Sequence, residues 1–430
     1  MERTRKRAHS SLTRLGIGLL ILVILAGMRL GAQSLKVGVA KIDISPDKPV
    51  AMAGYPHPHT RLSESVHDRL FARATAFING SHRLVLVSAD TTSFLFVSQS
   101  IRQSILDAHG LKPEELILAA SHTHSAPLLS HEPGWPVPNN YEYTQSLRAN
   151  LVTVVGQALG SASEAAVGAG HGSSPIGVNR RVPSTDDTGK PVIRLGRNSE
   201  AAIERDLLVL KVVKTDGSLL ACLFSLATHS RSLNYQNKMI SGDIFGLAEQ
   251  YAEDALGSSS IISAFAGASG DIDPWFVVPS FDPGKNRTAP TVLMGSLLGE
   301  ELVNVTTAIT QSSAAPSLNS IRAVLPVPAL AAKNKGSTTR DLAVTAARIG
   351  DIGIFAVDCE LFNDIGKAIK KQSPFRETFV ITNCGEGGYF PTREAHAEGG
   401  YEVAISPFAP EAADFLVSQA VKLLNQVRER

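Results

Sequence analysis

Short apolar runs of strand-forming residues alternate along this chain with segments of helical periodicity. Residues 84–88 and 116–120 are apolar runs of this kind, and both have the length and composition of buried strands. Between them, residues 98–109 carry isoleucine and leucine at helical spacing and are followed by Gly110, a residue that favours helix ends. Strands interleaved with helices are typical of layered α/β domains, so the pattern predicts that fold class.

Later segments continue the alternation. An Asp216–Gly217 turn between two apolar runs predicts a β-hairpin, and residues 411–430 have the spacing of an amphipathic helix. The 430 residues, of which 43% are hydrophobic, can bury one large core or two ordinary ones. Further strands are predicted at 207–213, 219–226, 261–265 and 352–357.

Charge provides no case for nucleic-acid binding. The formal net charge is +1, and charged residues make up 19% of the chain. No basic patch stands out beyond the N-terminus, whereas nucleic-acid-binding proteins usually carry one. We therefore expect no nucleic-acid partner.

The N-terminal segment differs from the rest of the chain. Basic residues between positions 3 and 14 precede an apolar stretch at 15–28, and a run of small residues that resembles a cleavage site ends at Ala32. This order is typical of a secretory signal, and the apolar stretch is short for a membrane-spanning helix, which needs about 20 residues. We expect residues 1–32 to be a signal peptide or an N-terminal membrane anchor, and residues 33–430 to face outside the cytoplasm.

The chain has three cysteines, which are too few for a disulfide scaffold. Cys359 and Cys384 lie near proposed site residues, so a bridge between them is one interpretation. Buried, inert thiols, Cys222 included, are the other interpretation, and sequence alone does not choose between them.

Two histidines follow the strand predicted at 116–120. His122 and His124 are separated by one residue, so on an extended chain they point to the same side, and Pro127 keeps the segment from becoming helical. Imidazole suits zinc, and a catalytic zinc typically has three protein ligands and a water. The motif therefore indicates either a metal site or a pair of hydrogen-bonded structural histidines.

A second strand end repeats this setting. The strand predicted at 219–226 is followed by Thr228 and His229, and Asp243 comes shortly afterwards where a helix begins. The ordinary role for Asp243 is that of an N-cap. Two strands that each end in threonine and histidine beside serine indicate a shared site.

Acids and tyrosines follow the later strands. Asp271 and Asp273 come after a run of small residues, and Glu360 ends the strand predicted at 352–357. Glycines precede Tyr389 and Tyr401 and leave room for a ligand beside each ring. Taken singly, these features also fit an Asx-turn and glycine turns with surface tyrosines.

Together, these motifs at the strand ends resemble, in their order along the chain, the N-terminal catalytic domain of neutral (non-lysosomal) ceramidases. Those proteins are zinc amidohydrolases that cleave the amide of ceramide. The resemblance begins near residues 37–44, continues through Gly54, Tyr55 and residues 67–74, and runs to about Ser406. It implies a layered mixed-sheet α/β catalytic domain without the C-terminal immunoglobulin-like domain of those enzymes.

The resemblance also implies a zinc cofactor and a set of site residues. The metal ligands carried over are His122, His229, Glu360 and Tyr389. The catalytic residues carried over are His124, Tyr401 and Asp273, and the substrate-binding residues are Arg180, which follows Asn179, and Asp271.

One position departs from the family pattern. The family places an active-site serine in a Gly-Asp/Asn-x-Ser-Pro run, and here Asp273 takes its place before Pro274. An ionised carboxylate accepts hydrogen bonds from a substrate hydroxyl or ammonium, but it donates none. The natural substrate therefore stays open.

These features predict a secreted zinc-dependent amidohydrolase of ceramide-like N-acyl lipids that directs zinc-activated water at the amide carbonyl. His124 would move the proton, Tyr401 would donate a hydrogen bond to the oxyanion, and Asp273 would face the head group. Two alternatives remain, a zinc hydrolase of another amide or ester and a catalytically impaired zinc-containing binding protein. The expected partner is a lipid or other small amide, with association at a membrane surface left open.

Overall fold

The computed structural model describes residues 34–55, 61–277, 288–385 and 388–429. The signal peptide or anchor predicted at residues 1–32 lies outside the described residues. Within them, the structure contains strands and helices that alternate along the chain, as the sequence predicts.

The strands are numbered here in chain order over the described residues. In the first part of the chain they are β1 (Lys36–Asp43), β2 (Ala51–Met52), β3 (Arg61–Leu62), β4 (Ser65–Val66), β5 (Phe71–Asn79), β6 (His82–Ala89), β7 (Leu116–Ala120), β8 (Ser163–Ser173), β9 (Gly177–Thr185), β10 (Pro191–Asn198), β11 (Asp206–Lys214) and β12 (Leu219–Leu226). In the second part they are β13 (Met239–Ile240), β14 (Ile261–Ala266), β15 (Ile272–Pro274), β16 (Leu318–Pro328), β17 (Thr339–Ile349), β18 (Ile352–Val357), β19 (Glu360–Leu361), β20 (Glu377–Ile381) and β21 (Tyr389–Phe390).

The helices are numbered in the same way. They are α1 (Ser98–His109), α2 (Pro138–Gly160), α3 (Asp243–Leu256), α4 (Ala289–Ala308), α5 (Asn363–Gln372), α6 (Arg393–Glu398), α7 (Tyr401–Ile405) and α8 (Ala412–Glu429), with short 3-10 turns at Leu95–Val97, Pro113–Glu115 and Ala331–Lys333. None of the helices in the described part of the chain is both long enough and apolar enough to cross a bilayer.

An eight-stranded mixed sheet forms the centre of the fold. Its strands lie in the order β14-β12-β11-β8-β1-β5-β6-β7. The β12–β14 and β6–β7 pairs are parallel, and the other neighbours are antiparallel. The sheet curls so that its two ends meet, since the Ser88 hydroxyl of β6 donates to the Ala264 carbonyl of β14 at 2.5 Å. This curl brings the carboxyl ends of the two parallel pairs close together.

A four-stranded sheet, in the order β16-β17-β18-β20, packs against the large one. Phe77, Leu86 and Phe265 of the large sheet and Ile354 and Phe379 of the small sheet belong to one buried cluster between them. Helices α1 to α4 cover the other face of the large sheet, and α5 and α8 cover the outer face of the small one. The fold is therefore a layered mixed-sheet α/β domain, as predicted.

Local predictions from periodicity agree closely with the observed elements. Strand β7 and helix α1 have the predicted bounds, and Gly110 ends α1 in the left-handed conformation with φ of 55°. β11 and β12 form the predicted antiparallel hairpin, with a turn at Asp216 and Gly217. These elements depend on neighbouring residues alone, which is why sequence reasoning finds them.

The N-cap prediction for Asp243 is wrong. Gly242 occupies the N-cap, and Asp243 is the first residue of α3, with φ of 54°. Its buried carboxylate accepts hydrogen bonds from the backbone amides of Ser232 at 3.0 Å and Leu233 at 2.9 Å. Because a buried carboxylate needs partners, it fastens the loop after His229 to the start of α3.

The three cysteines are free thiols. Cys222 and Cys359 are buried, and Cys384 is partly buried. The bridge considered between Cys359 and Cys384 is therefore absent, and burial raises the pKa of the Cys222 thiol to about 12. This agrees with inert core cysteines.

Candidate functional site

The chain segments that follow β7 and β12 are joined directly. Thr123 and Ser230 form an isolated parallel β-bridge, and the His124 amide donates to the Ser230 carbonyl at 3.0 Å. The bridge gathers the imidazoles of His122, His124 and His229 so that their candidate ligand atoms lie within 4.8 Å of one another. The two histidine motifs thus meet, and this buried group could hold a metal ion.

Backbone conformation at the site is unusual in two places. His122 has φ of 64°, in the left-handed region that residues other than glycine seldom adopt. Gly54, with φ of 94°, lies under the His124 ring, and a Cβ at this position would approach that ring to 2.6 Å. Glycine is therefore required for the ring to lie where it does.

Two of the imidazoles are held in a defined tautomer. Nδ1 of His122 lies 2.6 Å from the Thr92 carbonyl, and Nδ1 of His229 lies 2.9 Å from the Ile272 carbonyl. A carbonyl only accepts hydrogen bonds, so each Nδ1 carries a proton, and in the neutral form of the ring Nε2 presents a lone pair. Carbonyl partners of this kind orient histidines that bind metals.

The Glu360 carboxylate faces both lone pairs. Its Oε2 lies 3.4 Å from Nε2 of His122 and 3.3 Å from Nε2 of His229. This oxygen is buried and has no hydrogen-bond partner among the described residues. A carboxylate oxygen without a donor and two imidazole nitrogens converge in this buried space, so the arrangement fits a cation bound between them.

His124 completes the group of three imidazoles. Its Nε2 lies 3.3 Å from Nε2 of His122, and its buried Nδ1 has no hydrogen-bond partner in the described part of the chain. The Tyr55 ring packs edge-on against it, with 5.3 Å between ring centroids. Burial holds the pKa of His124 well below its usual range, so the ring is neutral at neutral pH.

Both predicted tyrosines lie beside this cluster. Tyr389 is the register partner of Glu360 in the parallel β19–β21 pair, and the Arg180 guanidinium lies 5.1 Å from the centre of its ring. Tyr401 packs against Tyr389, with 5.8 Å between ring centroids. Tyr389 is buried and Tyr401 is 39% exposed, so Tyr401 lies towards the open side of the site.

Asp273 is enclosed by two arginines. Arg231 holds it by two contacts, Nε to Oδ1 at 2.7 Å and Nη2 to Oδ2, and Nη1 of Arg180 lies 3.2 Å from Oδ1. Although burial opposes ionisation, Arg231 and Arg180 hold the pKa of Asp273 well below its usual range. The residue is therefore a carboxylate held by two arginines, and its contact with a substrate head group stays a prediction.

Sequence reasoning missed Arg231. The signal was present, because Arg231 follows His229 by two residues at a strand end, the same spacing that relates His122 to His124. The pairing of Arg231 with Asp273 could not be predicted from the sequence, since 42 residues separate the two along the chain.

The remaining predicted residues lie next to the cluster. Arg180 donates to Glu402 at 2.7 Å, and its Nη1 lies 3.4 Å from Nε2 of His229. Asp271 accepts hydrogen bonds from the amide of Asn363 at 2.7 Å and from the side chain of Asn179 at 3.0 Å. Its carboxylate thus holds the segments around Arg180, and substrate contact by Asp271 stays a prediction.

The fold matches solved structures closely. A neutral ceramidase from Pseudomonas aeruginosa superposes with a TM-score of 0.75 at 18% identity, over 93% of this chain and 75% of that one. A ceramidase complexed with C2 gives a TM-score of 0.75 and 18% identity, over 93% and 76% of the two chains. At this level of identity the likeness concerns the fold.

Sequence comparison identifies relatives in Dictyostelium discoideum. Neutral ceramidase A is 26% identical over 272 residues, which are 59% of this chain and 38% of that protein. Neutral ceramidase B is 24% identical over 262 residues, or 57% and 36% of the two chains. The chain thus spans less than two fifths of the length of these two relatives.

A family model described as neutral/alkaline non-lysosomal ceramidase, N-terminal, matches residues 35–280. This match covers more than half of the 430 residues and includes His122, His124 and His229. The protein therefore belongs to the neutral/alkaline non-lysosomal ceramidase family.

Proposed function

We propose that this protein is a zinc-dependent amidohydrolase that cleaves ceramide-like N-acyl lipids into a fatty acid and an amine. The observation that carries the proposal is the convergence of the His122 and His229 imidazoles on the unpartnered Oε2 of Glu360. Family membership supports the substrate class, because the matching relatives are described as neutral ceramidases.

The donor set favours zinc. His122, His229, Glu360 and Tyr389 would supply two nitrogens and two oxygens, and zinc accepts both ligand types. The carbonyls of Thr92 and Ile272 already hold two of the imidazoles in the ligating tautomer. Little rearrangement of these two rings is therefore needed on binding.

In the reaction, water adds to the amide carbon, the C–N bond breaks, and the amine leaves with a proton. A bound zinc ion supplies Lewis-acid polarisation of the carbonyl and acidification of the water. His124, which is neutral and close to the cluster, accepts the proton from water and returns it to the leaving nitrogen. Tyr401, at the open side, donates a hydrogen bond to the oxyanion.

A second ligand set is favoured by one observation. The ligand atoms of His122, His124 and His229 lie within 4.8 Å of one another, which is compatible with three imidazoles on one ion. His124→Gln distinguishes the two sets. Retained zinc with lost turnover supports His124 as the proton-transfer group, whereas loss of zinc makes His124 a ligand.

The central experiment combines metal analysis with turnover. Purified protein should contain about one zinc per chain and should release fatty acid from a short-chain fluorescent ceramide. A chelator should abolish this activity, and added zinc should restore it. His122→Ala should remove both metal and activity, whereas His131→Ala, at an exposed histidine, should change neither.

Three outcomes contradict the proposal. Full metal content in His122→Ala refutes the ligand assignment. Cleavage of esters or small amides but not of N-acyl lipids makes the protein a hydrolase of another bond. Zinc-loaded protein that hydrolyses none of these substrates would be a binding protein.

The proposal includes export. The basic and apolar composition of residues 1–32 supports a secretory signal, and the catalytic domain would then work outside the cytoplasm. N-terminal sequencing of exported protein is expected to begin at Gln33. Recovery of the full chain from the cytoplasm would contradict this.

A further inference from the structure

Ion pairs of alternating sign run from the protein surface to the histidine cluster. Three acids and three arginines take part, and neighbouring charged atoms along the series lie 2.7–3.2 Å apart. The outer end is the 54% exposed side chain of Glu398, the inner end is the 16% exposed side chain of Arg231, and the four members between them are buried. The members of this charge ladder, from the surface inward, are Glu398, Arg181, Glu402, Arg180, Asp273 and Arg231.

The arginine at the inner end of the ladder has fewer acidic partners than the other two arginines. Arg181 lies between Glu398 and Glu402, and Arg180 lies between Glu402 and Asp273, so each has acids on both sides. Arg231 has Asp273 alone as an acidic partner among the described residues, and it shares that carboxylate with Arg180. The last cation is therefore only partly compensated.

The incompletely compensated cation faces the candidate site. Arg231 follows His229 by two residues, and its side chain is 16% exposed. The Asp273 carboxylate that holds Arg231 also lies 3.2 Å from Arg180, and Nη1 of Arg180 lies 3.4 Å from Nε2 of His229, so the guanidinium of Arg231 lies beside the histidine cluster. Nε and Nη2 hold Asp273, and Nη1 is not used in these two contacts.

We infer that Arg231 selects N-acyl substrates whose head group carries a carboxylate, as in N-acyl amino acids. This inference rests on the proposed amidohydrolase function and specifies its substrate class. A carboxylate completes the alternation of charge at the inner end of the ladder, and a guanidinium binds carboxylates with directed hydrogen bonds. The neutral head group of ceramide leaves a half-buried cation partly compensated, which costs binding energy.

Asp273 positions Arg231 in this arrangement. Its carboxylate holds the guanidinium by two contacts and is itself screened by Arg180 on the other side. Asp273, the acid that stands in place of the family serine, is thus paired with a basic residue, Arg231. Arg231 and Asp273 together determine which head group is preferred.

The test compares head groups that differ only in charge. Zinc-loaded protein is assayed with N-lauroylglycine and with N-lauroylethanolamine, and the selectivity is the ratio of the two kcat/KM values. We expect this ratio to exceed tenfold in favour of the acid and to fall at least tenfold in Arg231→Gln. Arg231→Lys, which keeps the charge, should retain much of the preference.

Two further variants sharpen the test. Asp273→Asn removes the charge that positions Arg231, so the ratio should fall. Lys238→Gln removes an exposed cation from the same loop and should leave the ratio unchanged. A wild-type preference for the ethanolamide, or an unchanged ratio in Arg231→Gln, would overturn the inference.

A binding measurement separates this inference from the proposed function. Dodecylsulfonyl-glycine and dodecylsulfonyl-ethanolamine are sulfonamide analogues that are not cleaved, and calorimetry measures their affinities for wild type and Arg231→Gln. At least tenfold tighter binding of the acid, lost in the variant, supports the role of Arg231 even if no amide is hydrolysed. Equal binding of the two analogues rejects the role of Arg231 even if amides are cleaved.

Discussion

At the scale of single residues, the main feature of the site is a buried carboxylate oxygen that has no hydrogen-bond donor among the described residues. The Nε2 atoms of His122 and His229 and a Glu360 carboxylate oxygen meet in a buried space, and the carbonyls behind the two rings accept their Nδ1 protons. Without a cation this arrangement costs free energy, because the buried Oε2 of Glu360 lacks a donor among the described residues. Binding of a metal ion at this group would therefore stabilise the surrounding structure.

Glu360→Gln should stabilise the metal-free protein. The amide group can donate to the Nε2 lone pairs, so the metal-free variant should be more stable than metal-free wild type by about 1–3 kcal/mol. The same change should weaken zinc binding, since a carboxylate ligand is lost. Urea denaturation with and without a chelator measures both effects, and a less stable metal-free variant would contradict the interpretation.

Tyr401→Phe should slow turnover without removing the metal. Loss of one donor to an oxyanion typically lowers kcat by about a hundred- to a thousandfold. Steady-state kinetics and metal analysis of the same sample test this. Tyr251→Phe, at an exposed tyrosine bonded to Glu300, is the control and should behave like wild type. An unchanged kcat in Tyr401→Phe would exclude Tyr401 from the reaction.

At the scale of elements, one histidine links the two sheets. His171 of β8 lies 2.7 Å from Asp206 of β11, and its other nitrogen contacts Glu377 of β20. These contacts, first the hydrogen bond to Asp206, raise the pKa of His171 to about 9. The connection between the sheets is thus sensitive to pH.

His171 should stabilise the fold in a definite pH window. Its folded-state pKa lies above the unfolded value of 6.5, so the stabilisation is fully present below pH 6.5 and is lost as pH rises through about 9. The Tm difference between wild type and His171→Gln should accordingly shrink between pH 6.5 and pH 10. His82→Gln, at an exposed histidine, is the control. A difference that stays constant with pH would exclude the linkage.

At the scale of the whole molecule, a buried ion-pair cluster connects the large sheet to its helices behind the site. Arg73 of β5 lies 3.1 Å from Asp90, which follows β6, and 2.7 Å from Glu249 of α3. All three side chains are fully buried. The Thr91 carbonyl next to Asp90 accepts from the His122 amide at 3.0 Å, so the cluster supports the segment that carries a proposed ligand.

Arg73→Met should destabilise the protein strongly. Removing one partner leaves buried carboxylates uncompensated, a change that typically costs about 3–5 kcal/mol. Urea denaturation at neutral pH measures the loss. Lys48→Met breaks an exposed pair with Glu142 and should cost far less stability, because water screens exposed ion pairs. Similar effects of the two substitutions would show that the buried cluster contributes little.

The sequence by itself determined the local elements and the type of chemistry. Strand β7, helix α1 and the β11–β12 hairpin follow from the spacing of apolar residues and from Gly110 and the Asp216–Gly217 turn. Spacing also placed His122 and His124 on one side of a strand end, because side chains alternate along an extended chain. These properties depend on residues close together in the chain.

Tertiary structure alone decided which of these groups meet. The curl of the large sheet joins Thr123 to Ser230, and the parallel pairing of β19 with β21 sets Tyr389 beside Glu360. The carboxylate of Asp243 serves a distant loop instead of a cap, and Asp273 pairs with Arg231. The partner of a buried charge depends on which chain segments pack around it, and that information is spread over the whole fold rather than over neighbouring residues.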